Sequence, residues 1–364
     1  MTPPTGALLS RSVRPWMTAL LAAGVVGSAL ALAWAWLVPG ALERTSTLVV
    51  GAAYAGFMLR TFTLQAGVIT LLLALTLLAA RRPRWAGAGA LVALAWWSPD
   101  VWRALRAGGP VPARQGQDTL TVMTCNVLYG RADAHAVAAD ARRIGADVVL
   151  VQEVQRDSAD DLARALSDYP HVFSRPRADA FGQAVFSRRA FVGQPDSLPE
   201  LLRAHWEAEG PPQLACRVAL DGRALTLVNV HIYPPVPGAV RQQRTQAHAL
   251  GQFVRAHTRT HEDESLILAG DFNCVPLGHH VQAVVRAGVV ESWAQVRRGR
   301  GGTWPANGLL QHLGQVRIDH LLATPELIVL DAGVEGSHGS DHRATWARYA
   351  RRPSSTPAPA SVTR

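Results

Sequence analysis

Leu266-Ile267-Leu268-Ala269-Gly270-Asp271-Phe272-Asn273 is an apolar run that passes straight into Gly-Asp-Phe-Asn. A short apolar run closed by Gly reads as a buried strand. Asp271 and Asn273 then stand at its exit, and in an extended chain residues i and i+2 point to one face. A carboxylate in that position can orient a water or hold a metal, and an amide can donate to a phosphate oxygen. Taken alone, the same residues read equally as a turn capped by Asp and Asn. The decision falls to the surrounding chain.

Upstream, residues 120–127 alternate and are rich in β-formers, so they form a strand that ends at Asn126 before a turn at Tyr129-Gly130. Asp133 is placed to cap a helix that carries Val137, Ala141 and Ile144 at helical spacing and stops at Gly145. A second strand, 147–151, delivers Gln152-Glu153, and a helix over 158–168 is stopped by Pro170. A further strand is expected at 182–187. Strands 214–220 and 224–230 meet across Asp221-Gly222, a strong hairpin signal, and the second runs into His231. Pro234, Pro235 and Pro237 force a loop before a long helix at 240–257. Downstream of Asn273 the pattern predicts a helix over 276–290 and an arginine- and glycine-rich loop at 297–302. After Thr303-Trp304-Pro305 comes a strand over 316–323 that contains Asp319. Ser340-Asp341-His342 precedes a last strand at 344–349. Strands and helices mixed in this way, with one hairpin, argue for antiparallel sheets covered by helices.

Strand after strand ends in a residue suited to phosphate chemistry: Asn126, Glu153, His231, Asp271 with Asn273, Asp319, and Asp341 with His342. Independent turns do not account for such a series. Carboxylates, amides and histidines without clustered Cys make an oxygen-rich donor set, which suits Mg²⁺ or Mn²⁺ better than Zn²⁺.

The ordered motifs Thr-Cys-Asn126, Val-Gln-Glu153, Asn-Val-His231, Gly-Asp271-Phe-Asn273, Arg-Ile-Asp319-His and Ser-Asp341-His342 resemble the endonuclease/exonuclease/phosphatase superfamily. That group includes DNase I-like nucleases, abasic-site endonucleases, neutral sphingomyelinases and inositol polyphosphate phosphatases. The resemblance implies an α/β (α+β) fold, a four-layer sandwich of two packed mixed β-sheets flanked by helices. It also implies Mg²⁺- or Mn²⁺-dependent hydrolysis of a phosphate ester by direct attack of water. On the same ground Glu153 and Asp341 are expected as metal ligands, with Asn126 holding the metal or the phosphate. Asp271 would orient or deprotonate the water, and Asn273 would bind a phosphate oxygen. His342 would pair with Asp319 as base, acid or electrostatic clamp, and His231 would donate to the phosphate or leaving group.

The first hundred residues differ in kind. Stretches 16–38 and 62–80 are long uncharged apolar runs, 85–97 is a shorter third, and 48–59, closed by Arg60, reads as interfacial or re-entrant. A signal peptide would explain only the first of them. The reading is therefore a multi-pass anchor of about three helices over 1–102. A linker follows over 103–118, then the catalytic domain over 119–350, and a disordered tail over 351–364. Arg11 and Arg14 before the first span, and Arg81, Arg82 and Arg84 between the last two, place those segments in the cytoplasm and the domain outside it. Spans without ionisable residues apart from Arg60 speak against a transporter or channel.

The net charge of +9, carried without any Lys, favours an anionic partner. The expected function is a membrane-anchored, divalent-metal-dependent phosphodiesterase, with nucleic acid, as for an endonuclease, and a phospholipid headgroup as competing substrates. The alternatives are a phospholipid- or sphingomyelin-type phosphodiesterase or phosphatase and, in another class, a non-catalytic membrane protein that binds anionic ligands. No obligate protein partner is implied. Trp304 is placed to stack on a base, to dip into lipid or to cover the core edge. His279-His280 reads as a solvated pair, His320 as facing away from Asp319, and Cys125, Cys216 and Cys274 as free core thiols. Arg297, Arg298 and Arg300 form either a basic lip at the site or a solvated loop.

Overall fold

The computed structural model describes residues 15–37, 47–197, 212–236 and 239–353. The tail beyond residue 353, Pro237, and Arg11 and Arg14 lie outside the described residues. The chain divides into two compact units, Met1–Trp102 and Arg103–Arg364.

The first unit is helical: α1 (Pro15–Leu37), α2 (Thr47–Thr61), α3 (Thr63–Ala79) and most of α4 (Pro83–Arg106). By length and composition α1 is the one described helix able to cross a membrane. α2 and α3 make a second span only if the pair, bent by 77° at its break, counts as one. That is fewer than the three spans expected. α4, which carries Arg84, Asp100, Arg103 and Arg106 and holds Pro99 within the helix, is not among the candidate spans. Arg60 is buried, and its guanidinium is held by the carbonyls of Ala35 and Trp36 at the end of α1, where a helix C-terminus favours a cation.

The second unit holds two six-stranded sheets. The first contains β1 (Leu120–Asn126), β2 (Val148–Gln152), β3 (His171–Arg175), β4 (Gln183–Ser187), β11 (Leu327–Val334) and β12 (Thr345–Arg351), in the order β11-β12-β1-β2-β4-β3. The second contains β5 (Asp196–Ser197), β6 (Leu214–Leu220), β7 (Arg223–His231), β8 (Ser265–Asp271), β9 (Val290–Glu291) and β10 (Asp319–Ala323), in the order β5-β6-β7-β8-β10-β9. Both sheets are mixed. β1 pairs parallel with β2 and β7 parallel with β8, because α5 (Ala134–Arg143) and α7 (Val240–Thr260) make the crossovers that a parallel pair requires. The sheets are mixed, as the resemblance implied, and the antiparallel pairing read from the residues holds for the other neighbouring strands. The hairpin itself is present, with Asp221 and Gly222 both at positive φ (54° and 70°), as a two-residue hairpin turn demands.

The facing sheets bury Leu120, Val122, Val148 and Leu150 of one against Leu227, Ile267, Ala269 and Leu321 of the other. On the outer side of the first sheet, Met123, Val149, Val151 and Phe186 pack on Val137, Ala141 and Leu162 of α5 and α6 (Arg156–Ala165). The stretch read as a linker leaves α4 at Arg106 and then hydrogen-bonds the domain, Gly108 N–H to Gln295 O (2.8 Å) and Val111 N–H to Leu330 O (2.7 Å). Arg351, placed with the tail, ends β12, and its guanidinium reaches Ser265, Leu220 and Ala224.

His280 is not solvated. It sits in α8 (His279–Val285) with its side chain buried. Burial, reinforced by His279 and Arg244, pushes its pKa down to about 3. An unfolded His takes up a proton below about pH 6.5 while the folded one refuses it, so stability present above that pH is lost on acidification. In urea unfolding at pH 7 and pH 5, the wild type is expected to lose about 1–2 kcal/mol more than His280→Leu over that interval. Equal losses would remove His280 as the acid-sensitive group.

Candidate active site

Strand register brings the polar strand ends together. His231, Asp271 and Asp319 are cross-strand neighbours on β7, β8 and β10: His231 pairs with Asp271, and Asp271 with Asp319. On the facing sheet Asn126 pairs with Gln152, which puts Glu153 one residue beyond β2. Ser340-Asp341-His342 approaches from the start of β12.

The polar residues of the motifs that do not reach the site join the two sheets beneath it. Gln152 Nε2 donates to Asn229 Oδ1 (2.6 Å) and Thr124 Oγ1 (2.9 Å), and Asn229 Nδ2 donates to Val151 O (2.9 Å). These buried amide bonds between the sheets fix the register of the residues that follow them, Glu153 and His231.

Asn126 bridges the sheets at the site. Its Nδ2 donates to Glu153 Oε1 (3.0 Å) and to Asp271 Oδ2 (3.1 Å), while its Oδ1 accepts from Leu128 N–H (3.0 Å). Glu153 adopts a left-handed backbone, φ 61°, a conformation that costs a non-glycine residue about 1 kcal/mol or more. It accepts from Tyr129 N–H (3.0 Å) through its second oxygen.

The strand at Gly270 does not stop as the apolar run suggested. It continues to Asp271, and Gly270 takes φ 147° with its Cα against Val230 O, where a Cβ has no room. Asn273 then turns into the left-handed region, φ 47°. Asp271 and Asn273 therefore meet through a turn and not along an extended chain. Asn273 N–H donates to Asp271 Oδ1 (2.8 Å), and its Nδ2 donates to Asp271 Oδ2 (3.3 Å) and Ile232 O (3.0 Å). The turn capped by Asp271 is therefore present.

His342 Nδ1 lies 3.0 and 3.2 Å from the two oxygens of Asp319, and its Nε2 lies 3.7 Å from Asp271 Oδ2. His231 Nε2 faces the same Asp271 oxygen at 3.7 Å and Glu153 at 3.9 Å, with Phe181 packed beside the ring at 5.3 Å. Burial would lower the pKa of His342, but the charges of Asp319 and Asp271 prevail and push it up to about 10. Burial lowers the pKa of His231, which keeps it neutral. Burial, with Asp319 beside it, raises that of Asp271 against the pull of His342 and His231. Burial also raises Glu153, and the charge of Asp341 adds to it.

Two features fit a divalent cation. Asp341 Oδ1 is buried without a hydrogen-bond partner, although its other oxygen accepts from Trp304 Nε1 (3.1 Å). Glu153 is a partly buried carboxyl facing that same negative charge. Oxygen donors with surplus negative charge suit a hard cation. Asp271, Asp319 and His342 are also close enough to hold an ion, with ligand atoms within 4.8 Å of one another. Their atoms are spent on each other, however, since His342 Nδ1 is occupied by Asp319.

Several supporting residues were not assigned from sequence. Thr303 Oγ1 accepts from the N–H groups of Ile318 and Asp319 (3.1 and 3.3 Å). Ser340 Oγ donates to Asn126 O (2.8 Å) and accepts from His342 N–H (3.0 Å). A small hydroxyl residue beside a motif is a signal for such a role. Gln243, which donates from α7 to Asn273 O (2.9 Å), had none. His320 faces away from Asp319 as expected, bonding Cys274 O (2.8 Å) and packing edge-on to Phe272. Arg317 makes a buried ion pair with Glu291 (3.2 Å). Arg297 is committed to Asp331 (2.7 Å) and Ala332 O (2.6 Å), which removes it from a basic lip. The three cysteines are buried and form no disulfide.

A family model described as the Endonuclease/Exonuclease/phosphatase family matches residues 123–342. No curated protein matches the chain. Among solved structures, the endonuclease/exonuclease/phosphatase from Beutenbergia cavernae is 23% identical over 65% of this chain and 72% of its own, with a TM-score of 0.51. Truncated Caenorhabditis elegans TDP2 is 20% identical over 64% of this chain and 97% of its own, TM-score 0.52. D. rerio TDP2, complexed with single strand DNA product, is 18% identical over 64% and 98%, TM-score 0.50. At these identities the likeness is one of fold.

Proposed function

Since the chain belongs to the endonuclease/exonuclease/phosphatase family and is a metal-dependent hydrolase of phosphate ester bonds, we propose that it cleaves a phosphodiester by direct attack of water and works from a membrane. The observation that carries this reading is the Asn126 amide. It ties Glu153 of one sheet to Asp271 of the other, which supports a cation ligand and a water-orienting carboxylate acting side by side.

Glu153 and Asp341, with the Asn126 carbonyl, would hold Mg²⁺ or Mn²⁺. Bound there, the cation would neutralise charge developing on the phosphoryl group. Asp271 accepts a hydrogen bond from the attacking water and takes its proton. Asn273 and His231 donate to phosphoryl oxygens. His342, held charged by Asp319, presents Nε2–H to the same oxygens. In the membrane reading α1 spans the bilayer. With Arg11 and Arg14 on the cytoplasmic side, an odd number of spans leaves the catalytic domain outside.

Nucleic acid is the first substrate to test. The chain carries a net charge of +9, and a neighbour of the same fold was crystallised with a DNA product. A phospholipid headgroup is the second reading. It is favoured by Leu309, Leu310 and Leu313, which are 77%, 58% and 59% exposed on a short turn a few residues from Trp304 and Ala306. Full-length protein in Mg²⁺ would be given supercoiled plasmid, phosphatidylglycerol vesicles and bis(p-nitrophenyl) phosphate, each with an EDTA control. EDTA-sensitive nicking supports the nuclease. Release from vesicles without nicking moves the assignment to lipid. No turnover of any of the three by a folded protein would sink the phosphodiesterase reading and favour a non-catalytic binder of anionic ligands.

A further inference from the structure

We propose that Trp304 is a positioning residue for the cation site, acting through Asp341 to set which carboxylate oxygen is offered to the metal. This rests on the reading above, in which Asp341 is a cation ligand. Trp304 Nε1 donates to Asp341 Oδ2 at 3.1 Å, and Oδ1 of the same carboxylate is buried with no partner. An indole N–H can only donate. Its bond therefore occupies one oxygen without adding a competing acceptor and leaves the other as a single anionic ligand.

The indole is in turn held from behind. Its ring packs against Val275, Val316 and Ile318. Its own backbone N–H and C=O both pair with Val316 (2.9 and 2.7 Å). The same short segment grips Asp341 by the main chain, since Ala306 N–H donates to Asp341 O (2.7 Å) and Arg343 N–H to Thr303 O (2.8 Å). Thr303 meanwhile accepts from Asp319 N–H. Residues 303–306 thus clamp the proposed ligand Asp341 on one side and the partner of His342 on the other. Outer groups that orient a ligand in this way typically contribute 10- to 100-fold in metal affinity.

The test is Mn²⁺ binding to the full-length protein without substrate, read by electron paramagnetic resonance. Trp304→Phe keeps the ring packing and deletes the N–H. Its Kd for Mn²⁺ is expected to weaken about tenfold, with Tm in EDTA unchanged. In an Asp341→Ala background the same substitution should have no further effect, because the carboxylate it orients is gone. Equal Mn²⁺ affinity for Trp304→Phe and wild type would overturn the inference, as would equal weakening in both backgrounds. So would a change confined to KM for plasmid with Mn²⁺ binding intact, which would make Trp304 a substrate-stacking residue. A wild-type protein that binds no Mn²⁺ would instead bring down the cation reading itself, and this inference with it.

Discussion

Exchange of His342 for Ala is expected to slow phosphoester hydrolysis about 10³-fold, equivalent to about 4 kcal/mol of transition-state stabilisation. The expectation follows from the charge state of the ring. His342 is nearly buried, and burial alone would leave it neutral, but Asp319 hydrogen-bonds Nδ1 and Asp271 faces Nε2, so its pKa is pushed up to about 10. A ring protonated at neutral pH cannot serve as the base. It can offer Nε2–H and a positive charge to the phosphoryl oxygens, where charge builds in the transition state. Of the three roles left open by the sequence, the base is the one this charge state removes, and a proton donor, as acid or electrostatic clamp, is what it fits. The sign of the pH dependence separates them. A clamp with a raised pKa works throughout the neutral range and fails as the pH climbs toward that pKa. A base would fail on acidification below about 6.5, where an ordinary imidazole takes up its proton. Single-turnover rates of wild type and His342→Gln across pH 5 to 10 would decide. An acid limb that disappears in His342→Gln would refute the clamp.

How far the sequence carried this reading can be judged residue by residue. The endings at Asn126, Glu153, His231, Asp271, Asp319 and His342 were legible because strand patterning says where each strand stops, and register then does the rest. For Asp271 and Asn273 it is not an extended chain but a Gly270 that admits no Cβ and a left-handed Asn273 that bring the two side chains together. Positive φ at a non-glycine residue is not visible in a hydrophobic pattern, and the same holds for Glu153. β3 and β11 were missed for ordinary reasons. β3 is a half-exposed edge strand, and β11 carries Asp331 and a bulge between Val329 and Asp331, both of which blur a strand signal. The helix expected over 276–290 is cut short at Val285. Gly288, at φ 126°, leads instead into β9 and the short α9 (Ser292–Val296). The supporting residues that depend on tertiary approach, Gln243 under Asn273 and Arg297 against Asp331, have no local signature at all.

Replacement of Asp271 by Asn is expected to lower turnover by about 10³-fold while leaving the protein folded, and the two halves of that expectation have separate causes. Asp271 accepts from Asn126 Nδ2, Asn273 N–H and Asn273 Nδ2. An Asn of the same shape has one oxygen for these donors. With that oxygen turned to Asn273 N–H, its own NH₂ would face the remaining donors, and lost acceptance of this kind costs about 1–3 kcal/mol. In the other direction, Asp271 is a buried carboxylate whose pKa is raised by burial and by Asp319. A raised carboxylate pKa means that ionisation costs the folded state stability above the ordinary carboxylate range, so the neutral Asn relieves a cost of similar size at pH 7. The opposed effects leave Tm in EDTA close to that of the wild type. Catalysis has no such compensation, because an amide cannot take a proton from water. In the wild type the rate should rise with pH as Asp271 ionises, at a pH above that of an ordinary carboxylate. In Asp271→Asn the residual rate should lose that acid limb. A variant that keeps more than a tenth of wild-type turnover with the acid limb intact would show that another group takes the proton. Glu153, the other carboxylate bonded to Asn126, would then be the residue to examine in that role.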